Sequence, residues 1–83
     1  MNTILMLALR RNVTKQNYET YFEVMTPFLK NKGFNLVSKD PNIYIHDSTT
    51  TESVVRDISN KLRNHQNYNQ VIKSIHTGRL HKI

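Results

Sequence analysis

With 83 residues the chain is long enough for one domain and too short for two, and a domain of this size buries only about 60 to 65% of its unfolded surface, so stability is modest and self-association is expected. It has no cysteine, which excludes disulfides and thiolate-metal staples and leans toward the cytosol, and no run of about 18 apolar residues, which excludes a membrane-spanning helix. The formal charge of +6 is uneven: residues 1–57 carry seven Lys/Arg against six Asp/Glu, whereas residues 58–83 carry five Lys/Arg and no acid. A patch of that sign attracts nucleic acid, acidic protein or anionic surfaces.

The run from Thr3 to Leu9 is apolar on both parities and stops at Arg10-Arg11. That pattern predicts a central strand covered on both faces. Nothing like a basic leader or cleavage site surrounds it, so the expectation is an unprocessed, cytoplasmic, soluble protein. Thr14 is a good N-cap, with Val13 and Tyr18 placed as a hydrophobic staple. The helix that follows has the stripe Tyr18, Tyr21, Phe22, Met25, Phe28 and Leu29, the spacing of a buried face. Pro27 removes a hydrogen bond to Glu23, which predicts a kink or short break near Thr26 before the helix ends at Gly33.

Residues 34–38 and 42–46 read as a hairpin across the turn Lys39-Asp40-Pro41. Ile43 and Ile45 share one face and Tyr44 and His46 the other, so the sheet is expected to have an oily side and an aromatic, polar side with functional promise. Thr49 and Glu52 form a capping box for a second helix with the stripe Val54, Val55, Ile58 and Leu62. It should fade over Asn64 to Asn67. Residues 71–76 predict the last strand, and residues 77–83 a basic C-terminal tail within a single domain spanning 1–83.

Strand, helix, hairpin, helix, strand is the order of an α+β, ferredoxin-like split βαβ (βαββαβ) fold. It has a four-stranded antiparallel sheet, two helices on one face, and the first and third strands in the middle. The open face would then expose half of the apolar first strand, and such a patch marks an interface. A homodimer through the open face or an edge strand is expected.

This layout is similar to that of the Cas2 and VapD nucleases, whose pattern has an aspartate at or just after the first strand. Here that place holds Arg10 and Arg11. Cleavage by a bound cation needs carboxylates, so the departure implies no nuclease activity by that route, with a degenerate Cas2-like protein as one alternative. An RNA-recognition domain shares the topology, yet its glycine and aromatic signature is absent and Tyr44 is the sole candidate for base stacking. The spacings of His46, His65, His76 and His81 match no ligand pattern, and Gly33 and Gly78 cannot make a phosphate loop. No enzyme activity, metal, cofactor or small-molecule substrate is expected.

What remains is binding. Arg56, Lys61 and Arg63 on the second helix, Lys73 on the last strand, and Arg79 and Lys82 in the tail are the expected nucleic-acid-binding residues, interspersed with neutral asparagine donors. In length, in its ten asparagines and in its basic third, the chain resembles small phage anti-defence proteins, in particular RNA-binding toxin-antitoxin inhibitors of the TifA type. That resemblance implies binding to RNA or an RNA-protein complex in the host cytoplasm, without cleavage and without membrane contact. A dimeric adaptor for an acidic protein partner is the competing expectation.

Overall fold

The computed structural model describes residues 2–39, 41–46 and 52–80. They form strand β1 (Asn2–Leu9), helix α1 (Lys15–Asn31), strands β2 (Phe34–Ser38) and β3 (Asn42–His46), helix α2 (Glu52–Asn64), the short helix α3 (Tyr68–Val71) and strand β4 (Ile72–Leu80). The fold is α+β, with one antiparallel sheet in the order β2-β3-β1-β4. β1 and β3 are central, as expected for the first and third strands.

Directly paired residues share a face of a sheet. Leu5 pairs with Tyr44 and Thr77, and Leu7 with Asn42 and Ile75. On this face Thr3, Leu5, Leu7, Asn42 and Tyr44 are all buried, and Leu5, Leu7 and Tyr44 form one core with Tyr21, Phe22, Met25 and Leu29 of α1 and Ile58 and Leu62 of α2. Ile4, Met6, Ala8, Ile43 and Ile45 occupy the opposite face and are partly exposed. The aromatic, polar side of β3, expected from the sequence to hold functional promise, is therefore the covered one. Register with Leu5 draws Tyr44 under the helices, where it is 4% exposed, and Asn42 hydrogen-bonds its side chain. The isoleucines take the open side.

Thr14 caps α1 as expected, its Oγ1 accepting from the Asn17 N–H at 3.1 Å. The helix then runs unbroken through Pro27, so of the expected kink or short break the break is absent. Residues 23, 26 and 27 are exposed, so the carbonyl that Pro27 leaves unbonded lies on the solvent side of the helix, where an unpaired group costs little. Gly33 follows the C-cap at φ 89°, and a Cβ there would meet the His46 ring at 2.5 Å. Both the left-handed backbone and the close ring require glycine.

Two further boundaries depart from expectation. Val71 ends α3 and does not begin the last strand, and the helix-to-strand corner there turns both Val71 and Ile72 inward, fully buried. β4 then continues to Leu80, so Thr77–Leu80 pair with β1 where a tail was expected to begin. The capping residue Thr49, the turn residue Asp40 and the tail residues 81–83 lie outside the described residues.

Candidate nucleic-acid interface

A helix repeats its facing every 3.6 residues, so Arg56 and Arg63, seven apart, lie on one side of α2. Both are exposed, on the side away from Ile58 and Leu62. Lys61 points elsewhere. Its Nζ sits 5.9 Å from the centre of the Phe28 ring on α1, and the Nζ of Lys32 reaches the same ring at 5.9 Å. Two ammonium groups thus share one partly buried aromatic, each at the outer limit of a cation–π contact. Beside them, Val24, Met25, Lys61, Asn64 and His65 line a groove of about 240 Å³, below the roughly 300 to 1,000 Å³ of pockets that hold whole ligands. It has room for one side chain or one base.

Lys73 lies at a bulge. The register steps from Leu9 opposite Ile72 to Ala8 opposite Ser74, leaving Lys73 unpaired and exposed at the end of the sheet where β1 gives way to Arg10. Arg79 is set by backbone register opposite Thr3, toward the other end of the same strand, about 20 Å away at strand rise. Lys82 lies outside the described residues. The structure therefore brings Arg56 and Arg63 together, turns Lys61 toward α1, and sends Lys73 and Arg79 to opposite ends of β4.

Phe28 and Lys32 were missed in the sequence as site residues. Their i, i+4 spacing on α1 was the available signal, hidden because Phe28 was assigned wholly to the core stripe. Tyr44, the stacking candidate, is buried and cannot meet a base. Burial raises its hydroxyl pKa above the usual tyrosine value, and raises that of Tyr21 further. Both hydroxyls are thus neutral, and that of Tyr21 donates to the Leu62 carbonyl at 2.8 Å.

The described histidines serve separate neighbourhoods. His46 lies edge-on to Phe34 at 5.1 Å, His65 packs edge-on to Tyr21 at 4.9 Å, and His76 is 3.0 Å from the Ser74 hydroxyl. Among the described residues no three His, Cys, Asp or Glu side chains gather. No helix of the described residues is long and apolar enough to cross a membrane. The chain matches no model of a known protein family and no curated protein.

Proposed function

We propose that this protein binds RNA or a ribonucleoprotein without cleaving it, as a homodimeric phage inhibitor of a toxin-antitoxin or other host defence system. The observation that carries the reading is a set of exposed cations that no carboxylate neutralises. Arg56, Lys61, Arg63 and Lys73 are all exposed, and among the described residues none forms an ion pair, while no acid follows Asp57 in the chain. Cations held away from carboxylates keep their charge for phosphate, and phosphate contacts require no strict spacing. The phage and anti-defence part rests on the resemblance in length and composition. A ferredoxin-like, split βαβ classification is supported by the central positions of β1 and β3 and by both long helices packing into one core. Dimerisation is supported by Ile4, Met6, Ile43 and Ile45 on the open face.

The second reading, an adaptor for an acidic protein, is favoured by edge strand β2, where Leu36 and Val37 are 43% and 57% exposed beside a register shift. One experiment separates them. Fluorescence anisotropy with a labelled single-stranded RNA should show binding that weakens with salt, and the variant R56Q/K61Q/R63Q should lower the salt slope by about two units, at about 0.7 per lost contact. Wild-type protein with no measurable RNA affinity, or a triple variant with unchanged affinity and slope, moves the assignment to the adaptor.

A further inference from the structure

β1 ends at Leu9 and α1 begins at Lys15, and the turn between them is held at both ends. The Arg10 N–H donates to the Val71 carbonyl at 2.9 Å, and Thr14 caps the helix. Against this turn lies a broad cleft of about 810 Å³, wide open to solvent. Leu9, Val13 and Tyr18 form its apolar wall, and Arg10, Arg11 and Lys15 its charged edge. Tyr18 packs on Phe22 at 4.6 Å between ring centres, which holds this lining side chain in place.

The charges are not neutralised from within. Glu19 is the one carboxylate among the lining residues, and it sits 3.9 Å from the Lys15 ammonium in an exposed pair, which contributes little. Arg10 and Arg11 are exposed and form no ion pair among the described residues. Guanidinium groups grip phosphate through paired N–H donors, while an aromatic side chain offers a surface to a flat base. A hydrated inorganic anion would use the arginines and leave the apolar wall unused. A peptide carboxylate would do the same.

We infer that this cleft is a nucleotide site, with a base laid against Tyr18, Leu9 and Val13 and its phosphate held by Arg10 and Arg11. The site shares its chemistry with the RNA reading but stands on different residues. The nucleotide has two possible sources, a free mononucleotide or one unit of an RNA strand.

Amide-resolved NMR of the full chain distinguishes them, using adenosine monophosphate, inorganic phosphate and a short single-stranded RNA as separate probes. The expected result is that adenosine monophosphate moves the amides of residues 9–19 beyond what phosphate does, and that R10Q/R11Q, which alters only exposed side chains, abolishes the shifts while thermal unfolding is unchanged. If RNA moves the same amides, and R10Q/R11Q lowers its salt slope by about 1.4 units, the source is a strand. If only the mononucleotide does so, the source is the free nucleotide. Failure of the RNA reading would appear as absent RNA binding with the mononucleotide shifts intact. The cleft assignment itself falls if neither nucleotide probe perturbs residues 9–19, or if phosphate alone reproduces the whole pattern.

Discussion

The two faces of the sheet are built from the same strands and are nearly equal in apolar content, yet they have opposite fates. Leu5 and Leu7 on one side of β1 are 1% and 0% exposed, whereas Ile4 and Met6 on the other remain partly exposed. The covered side even accepts Thr3, Asn42 and Tyr44 into its interior. Hydrophobicity therefore did not choose the inner face by itself. The choice was made by which parity could pack beneath the aromatic stripe of α1 and the Ile58 and Leu62 stripe of α2. The covered face holds the fold together, and the open face is left available for association.

The largest effect that tests this contrast is a truncation at matched positions of β1. Leu7→Ala should cost about 2 to 5 kcal/mol in urea unfolding, since it opens a cavity in a closed core, and Met6→Ala much less. Equal losses would show the open face to be as deeply packed as the covered one.

An intermediate effect is expected inside the covered side. Tyr21→Phe deletes the hydrogen bond to the Leu62 carbonyl and should cost about 0.5 to 1.5 kcal/mol. The pH dependence follows from the raised pKa values of Tyr21 and Tyr44, both caused first by burial. The folded state holds these protons more tightly than the unfolded chain. Their stabilising contribution is thus complete below about pH 10, where unfolded tyrosine ionises, and is lost as pH rises further. Unfolding measured across that range should fall less steeply for Tyr21→Phe than for wild type.

The smallest effect on folding is expected on the open face. Met6→Lys should leave helical circular dichroism intact and change monomer stability by less than about 1 kcal/mol, because its long stem can lie along the sheet. Sedimentation should show the proposed homodimer giving way to monomer. A wild-type protein that is already monomeric at micromolar concentration removes the dimer from the proposed function.

Much of this organisation was legible in the chain. The cap at Thr14, the stripe from Tyr18 to Leu29, the hairpin and the central place of the first strand follow from local periodicity, which packing here reinforces. The inner side of β3 was not legible, because Ile43 and Ile45 look like core residues until register with Leu5 places Tyr44 inside. α3 is too short to show a period. Thr77-Gly78 resembles a turn, but Gly78 lies in the strand opposite Ile4, and the backbone pairing with β1 carries the strand through it. The divergence of Lys61 from Arg56 and Arg63 was present in the helical spacing. Its destination beside Phe28 was not, since that depends on how α1 lies against α2. Arg10 and Arg11 were read as a stop to the first strand and as a departure from the Cas2-like acid, not as binding residues, because the cleft beside them exists only once the turn is fixed to Val71.

The central position of β1 also shapes the order in which the molecule can assemble. Leu7 is made before both of its neighbours across the sheet, Asn42 and Ile75, and the partner at Ile75 follows the one at Asn42. Helix α1 can form locally in the nascent chain, while the most apolar strand waits with one or both sides unsatisfied. Such a topology delays closure of the sheet until β4 has been made and makes folding slower than the helical content alone suggests. During that interval the run from Ile4 to Leu9 is the segment that chaperones would be expected to recognise and that would misassemble without them.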